Sequence, residues 1–207
     1  KRFIEDGLNK ELNLFTVEVP LIVSKDSGVN DYLDRDGSRT PIDFPCGLGL
    51  EKRIEAQVVQ AATKWKRMAL AQFQCDVGEG INTDMRAVRK DYFLDHDHSS
   101  YVDQWDWEKR ITADMRNLDT LKKTVKGIWK VIKGAEQWAL EEFPELRDPR
   151  FPELPDELTF LHAEEILEMD PDLPRKQRET LIVQKYPAIF IIGIGYVLND
   201  GYPHEMR

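Results

Sequence analysis

Cysteine is nearly missing from this 207-residue chain: Cys46 and Cys75 are its only two, neither in a C-x-x-C pair nor beside a histidine cluster. A disulfide framework is excluded by count, and nothing in the spacing suits a structural zinc. Long apolar runs are missing as well. The longest, Ala188 to Gly195, is far too short to span a bilayer. No basic-then-apolar segment opens the chain; Lys1-Arg2-Phe3-Ile4-Glu5-Asp6 reads as the middle of a helix, and both ends read as cut. Positive charge is in deficit, with 29 Lys+Arg against 38 Asp+Glu and a net charge of −9. That balance argues against a broad nucleic-acid or anionic-membrane footprint, although a local basic pocket stays open. Repeats and low-complexity segments are absent. The expectation is a reduced, cytoplasmic, soluble protein without nucleic-acid or membrane partners.

What is present is an ordinary globular mixture, 41% hydrophobic and 32% charged. A domain of this length buries roughly 70% of the surface its unfolded chain exposes, so it needs no staple. One domain over 1–207 is the default, with division into two left open. Apolar Phe3, Ile4, Leu8 and Leu12 predict a helix over 2–12. Phe15 to Val23 reads as a strand that Pro20 restricts to an edge or interface. Turn residues, among them Asp34, Asp36 and Gly37, make 24–40 a loop. Strands are expected at 41–44 and 55–59, with a helix from Thr63 to Phe73. Arg86–Arg89 and Tyr101–Glu108 read as two strands joined by a charged loop bearing Asp91, Asp95, His96, Asp97 and His98. Leu121, Val125, Ile128, Ile132, Ala135 and Ala139 recur every three or four residues and predict one helix face. A proline-rich connector covers 143–156. A strand over 157–162, a short helix over 163–169, a helix with Pro174 at its first position and a buried strand over 188–194 complete the pass. The class is α+β, with helices flanking a mainly antiparallel sheet.

Three groups could carry chemistry. In Tyr101-Val102-Asp103-Gln104-Trp105-Asp106-Trp107-Glu108, strand alternation puts Gln104, Asp106 and Glu108 on one face. Such a face could hold an ammonium by charge while the amide orients a neighbouring carboxylate or phosphate. The same alternation equally suits a half-buried strand whose outer face is solvated. In Lys64-Trp65-Lys66-Arg67-Met68, Lys64, Arg67 and Met68 share a helix face and Lys66 points elsewhere; the cations could pair a substrate carboxylate or simply form a basic surface turn. Arg89 precedes the Asp/His-rich hairpin, a plan that could fold a loop over a nucleotide or leave an ordinary surface ion pair. His96 and His98 lack a third ligand of convincing spacing, so a metal site is not expected. Gly193-Ile194-Gly195 lacks the continuation of a phosphate loop and marks close backbone approach instead.

Together Asn30-Asp31, Lys64-Trp65-Lys66-Arg67, Gly78-Glu79-Gly80, the Trp-rich strand 101–108 and Val197-Leu198-Asn199-Asp200-Gly201 resemble the ammonia-dependent asparagine synthetase (aspartate–ammonia ligase) family, in order and approximate spacing over nearly the whole chain. That family is in turn similar to the catalytic core of class II aminoacyl-tRNA synthetases. Phe15 to Val23 resembles their first motif, a dimer-interface strand. Arg89-Lys90-Asp91 and His98-Ser99-Ser100-Tyr101-Val102 resemble the two arms of their ATP-binding hairpin. The resemblance implies a homodimer that activates the side-chain carboxylate of L-aspartate with ATP as an acyl-adenylate, releasing pyrophosphate. Ammonia then displaces AMP to give L-asparagine. It also implies roles. Arg89 faces the α-phosphate, Lys66 contacts a substrate carboxylate, and Asp31, Gln104 and Asp106 recognise aspartate, with Gln104 orienting it. His98, Ser99 and Asp103 lie toward ATP, whose phosphates carry Mg²⁺.

Two departures bear on this expectation. Ala61 stands where the family is expected to have a polar serine, and the chain stops at Arg207, before further carboxylates and a glycine-rich final motif. A fragment of a longer enzyme is the expectation. Two rivals remain: an aspartyl- or asparaginyl-tRNA synthetase-like enzyme, and a catalytically inactive paralogue with an interaction role.

Overall fold

The computed structural model describes residues 1–33, 39–49, 51–90, 94–96 and 98–205; Asp34, Asp36, Gly37, Asp91 and Asp97 lie outside them. The chain divides into two compact units, Lys1–Ile128 and Trp129–Arg207. The first opens with helix α1 (Arg2–Leu12), which buries Leu8 and Leu12 and ends where Asn13 turns left-handed at φ 57°, a conformation asparagine tolerates better than most residues. Strand β1 (Leu14–Val17) follows. The expected strand over 15–23 is two strands, because Pro20 has no N–H to continue a ladder. β1 joins one sheet and β2 (Ile22–Ser24) another.

The second of these sheets is small and antiparallel, in the order β2, β4 (Ile54–Val58), β3 (Asp43–Cys46). Helix α2 (Thr63–Gln72) comes next. In the other sheet β1 runs parallel to β5 (Gly80–Val88), which pairs antiparallel with β6 (Tyr101–Lys109). Strand β5 starts at Gly80 rather than at Arg86. Asn82 and Thr83 are both buried, so both faces are covered and polar residues sit where an alternating pattern would expect apolar ones. Gly80 is needed there: a Cβ would stand 2.2 Å from the Glu108 carbonyl oxygen. Trp65 of α2 packs against two core clusters, one with Val59, Ala62, Met85 and Ala87, the other with Ala69, Cys75 and Ile81. These contacts lay α2 over the face of β5 that carries the odd-numbered residues. Burial pushes the Cys75 thiol above its ordinary pKa.

Helix α3 (Leu118–Glu142) contains the boundary between the units. It forms where the spacing predicts, but its buried residues differ from the predicted stripe. Val125, Val131 and Leu140 are buried, whereas Leu121 and Ile132 are exposed. Val131 lies about 120° round the helix from Val125, so α3 buries different sides along its length and no single stripe describes it. The second unit holds β7 (Thr159–His162), paired in parallel with β8 (Ile189–Ile192), and helices α4 (Ala163–Met169) and α5 (Arg175–Lys185). Leu161, Ile166 and Ile182 form its core, with Ala163, Leu167 and Leu198 alongside. His162 caps α4 through its ring, and Glu165 answers with a bond from the His162 amide. Gly193 has φ 82°, and a Cβ on it would lie 2.4 Å from His162 Nε2. The close backbone approach read from Gly193-Ile194-Gly195 is thus a contact with the capping histidine. The α+β class holds; β1–β5 and β7–β8 are parallel, the remaining pairings antiparallel.

Candidate active site

The register between β5 and β6 arranges the Trp-rich strand. Met85 stands opposite Gln104, Thr83 opposite Asp106 and Ile81 opposite Glu108. Directly opposed residues share a face, so Gln104, Asp106 and Glu108 line the same side as buried Ile81, Thr83 and Met85. Helix α2 lies on that side. Its Lys66 is 2% exposed, and Nζ donates to Asp106 Oδ1 and, at 3.3 Å, to the Trp107 carbonyl oxygen. Glu108 Oε2 is 3.9 Å from the same ammonium. Arg67, largely exposed, reaches Glu108 Oε1 through Nε at 3.4 Å. The three cations of 64–67 therefore divide: Lys66 enters the sheet face, Arg67 rims it, and Lys64 Nζ turns to the carbonyl oxygens of Gly28 and Asn30.

Asp31 sits at the opening of α2. Its Oδ2 accepts from the backbone N–H of Thr63 at 2.7 Å and of Lys64 at 3.2 Å, so it satisfies two of the helix's orphan donors from outside the helix. Oδ1 is 3.8 Å from Lys64 Nζ. Behind it, buried Asn30 stitches the loop down: Nδ2 donates to the Val58 carbonyl, and Oδ1 accepts from the Gln60 amide at 2.9 Å. Ala61 contributes only its carbonyl, which receives the Asp31 amide.

Arg89 follows β5 directly. Its amide donates to the Ser100 carbonyl at 2.7 Å, which carries the β5–β6 ladder one pair further. Alternation then gives Arg89 the face of Ala87, Met85 and Thr83, the face of Gln104, Asp106 and Lys66. His98 and Ser99 stand on the returning arm of the hairpin, both exposed. The His98 ring and amide bond to Asp95 Oδ1 at 2.7 and 2.9 Å, and Ser99 Oγ accepts from the Tyr101 amide. Asp103 is different. It stands opposite Arg86, on the other face of the sheet, where it and Asp84 hold the Lys1 ammonium. The Lys1 hydrogen bond holds the Asp84 carboxyl below its ordinary range. The expectation that Asp103 lies toward ATP with Arg89 is corrected by strand parity: it stands one position from Gln104 and three from Asp106, odd steps that put it on the opposite face.

Two buried polar side chains escaped the sequence reading. Gln60 Oε1 and Asn82 Oδ1 are buried without hydrogen-bond partners among the described residues. Gln60 follows Val59, whose carbonyl accepts from Val88, so it stands between the Asp31 loop and the approach to Arg89. For Gln60 the signal in the sequence was a glutamine interrupting the apolar run from Val58 to Ala62. Among the described residues no group of three or more His, Cys, Asp or Glu side chains is placed to hold a metal ion.

Comparison with known proteins now decides the family. The aspartate-ammonia ligase family matches residues 1–207. The chain belongs to that family. Aspartate–ammonia ligases of Clostridium perfringens and Bacteroides fragilis are each 44% identical to it over all of this chain, and that of Bacillus cereus is 42% identical. The chain spans 58–61% of the length of these relatives. Among solved structures, asparaginyl-tRNA synthetase from Entamoeba histolytica in complex with asparaginyl-adenylate matches 93% of this chain and 41% of its own, with a TM-score of 0.57 at 12% identity. That likeness shows that this chain shares the fold of that synthetase over most of its length. Among the described residues no helix is long and apolar enough to cross a membrane.

Proposed function

We propose that the protein joins ammonia to L-aspartate at the expense of ATP, through a β-aspartyl-adenylate, giving L-asparagine, AMP and pyrophosphate. What carries this reading is the placement of Lys66, Asp106 and Gln104 on one sheet face whose alternation continues to Arg89. Four residues along β5, about 13 Å, separate Arg89 from the level of Gln104. That span suits an amino acid joined to a nucleotide.

Each step needs a particular charge. The aspartate side-chain carboxylate attacks the α-phosphorus, and the bond to pyrophosphate breaks. Negative charge collects on the α-phosphate oxygens, and the Arg89 guanidinium, a planar donor fork, stabilises it. Mg²⁺ would balance the charge of the triphosphate when ATP is bound. Ammonia next attacks the acyl carbon, AMP leaves with the bonding pair, and the surplus ammonium proton passes to solvent. Lys66 receives a substrate carboxylate. Asp106, already facing one ammonium in Lys66 Nζ, and Asp31 accept the α-ammonium, while Gln104 orients the substrate between them. His98 and Ser99 border the nucleotide. The protein works in the cytoplasm as a homodimer through the β1–β2 segment, where Phe15 and Ile22 are exposed on edge strands and Leu21 is exposed between them.

Incubation with ATP, aspartate and ammonium should yield AMP and asparagine in equal amounts, without tRNA. AMP formation that required tRNA would instead favour a charging enzyme. Arg89→Ala should slow aspartate-dependent pyrophosphate exchange by on the order of 10²-fold or more. Unchanged exchange would remove Arg89 from the mechanism.

A further inference from the structure

The small sheet of β2, β4 and β3 carries none of the residues assigned above to substrate or nucleotide, yet its middle strand buries an amide. Gln57 of β4 is 3% exposed and stands opposite Val23 of β2 and Asp43 of β3, so the three share a face. A buried amide costs stability unless both its donor and its acceptor find partners. Gln57 finds both. Nε2 donates to Asp43 Oδ1 at 2.8 Å, and Oε1 accepts from Asn30 Nδ2 at 3.4 Å. Asn30, buried as deeply, also donates from Nδ2 to the Val58 carbonyl and accepts at Oδ1 from the Gln60 amide. At the outer end Lys25 Nζ donates to Asp43 Oδ2 at 2.8 Å. The row thus runs from a surface ion pair to Asn30, and the next residue in the chain is Asp31.

A row of amides can run in either sense if every member flips. This one is fixed from both ends. The Asp43 carboxylate, held ionised by the bonds from Lys25 and then Gln57, only accepts, so Gln57 turns Nε2 toward it and Oε1 toward Asn30. The Val58 carbonyl only accepts and the Gln60 amide only donates, so Asn30 turns Nδ2 toward Gln57 and Oδ1 away. Both demands agree at the Gln57–Asn30 bond. The loop is registered in this way against the end of β4, where the Asp31 amide donates to the Ala61 carbonyl at 3.3 Å. Asp31 Oδ2 is taken by the Thr63 and Lys64 amides. Oδ1, 3.8 Å from the Lys64 ammonium, is the oxygen left for a ligand, and its position follows the backbone that Asn30 anchors.

We propose that Asp43 and Gln57 are positioning residues for the amino-acid substrate: acting through Asn30, they set where Asp31 presents its carboxylate. The proposal rests on the assignment of Asp31 to the α-ammonium. Arg89 is carried by the β5–β6 ladder instead, so the nucleotide end of the site is spared.

Calorimetric titration of the full chain with L-aspartate and, separately, with ATP and Mg²⁺ tests this, beside urea unfolding of each variant. Gln57→Glu removes the Nε2 donor and sets two carboxylates side by side. It should weaken L-aspartate binding by about tenfold and ATP binding by less than about twofold. Adding Asp43→Asn supplies a donor at 43 to the new carboxylate at 57, which still accepts from Asn30. The double variant should return to within about threefold of the parent. A purely structural lesion would weaken both ligands together, and a second substitution would not cure it. Asp43→Ala, at a half-exposed position, serves should Gln57→Glu fail to fold: it should weaken L-aspartate binding alone, by about threefold, and Asp43→Asn should lose less. Asp31→Ala is the control. No L-aspartate binding by the parent, or parental affinity in Asp31→Ala, would overturn the Asp31 assignment and the proposal with it. If Asp31→Ala weakens binding, the positioning role alone is overturned by parental L-aspartate affinity in Gln57→Glu or Asp43→Ala, by equal losses for both ligands, or by no recovery in the double variant.

Discussion

Asp106→Ala would leave the Lys66 ammonium in place and take away its carboxylate, and the geometry sets what that costs. The Lys66 side chain is 3% exposed, and that of Asp106 is 27% exposed. Truncating one member of a fully buried pair costs about 3–5 kcal/mol, whereas exposed pairs contribute about 0–1 kcal/mol. Here the ammonium is buried and its partner partly open, and the Trp107 carbonyl at 3.3 Å and Glu108 at 3.9 Å remain. The expected loss is thus intermediate, about 2–3 kcal/mol. With a urea m-value near 2 kcal/mol/M, that moves the unfolding midpoint down by about 1–1.5 M. Lys66→Met should cost less, about 1 kcal/mol, because water reaches the orphaned carboxylate. The double variant should be no worse than the milder single one, a coupling of about 2 kcal/mol, since an apolar pair has no unmatched charge to bury. Urea titrations followed by tryptophan fluorescence, with Trp65 and Trp107 close by, would read all four states of the cycle. A loss below about 0.5 kcal/mol for Asp106→Ala, or strictly additive single effects, would show that the two side chains are not coupled as a buried pair.

Three more expectations are as direct. Asp31→Ala should destabilise by about 1 kcal/mol through loss of the two α2 donors, whereas Asp31→Asn should keep most of that stability and still weaken aspartate binding; equal destabilisation by both would contradict the capping role. Gly193→Ala should cost more than about 1 kcal/mol, from positive φ and the clash with His162, and a variant as stable as the parent in thermal unfolding would refute the close approach. Asp43 gives a pH signature: hydrogen bonds from Lys25 first and then Gln57 depress its pKa below 3.8. A depressed carboxylate contributes stability above its unfolded value and loses it as pH falls through the folded one. Asp43→Asn should therefore be less stable than the parent at neutral pH, and the gap should close below about pH 3.8; a gap unchanged down to pH 2 would rule the linkage out.

Much of the fold could be read locally because the signals are local. The amphipathic run of 2–12, the cation-rich stretch beginning at Thr63 and the run after Pro174 all form helices, with Pro174 the N-cap of its helix rather than its first residue. Turn residues and prolines bound them without reference to anything distant. Where tertiary contacts decide, local reading failed. Strand β5 was hidden because burial on both faces lets Asn82 and Thr83 replace an alternating pattern. Helix α3 was found, but not which of its sides is covered.

The site divides the same way. Alternation along β6 was enough to group Gln104 with Asp106 and Glu108, and helical spacing was enough to part Lys66 from Lys64 and Arg67, because periodicity is a property of the chain itself. Which face of β6 meets α2 is not such a property. Only the packed sheet set Lys66 against Asp106, put Asp103 on the far side with Lys1, and turned Asp31 toward the first amides of α2. Pattern along a strand names the two sides. It takes the neighbours, through burial and hydrogen bonding, to say which side closes over a charge and which opens to water.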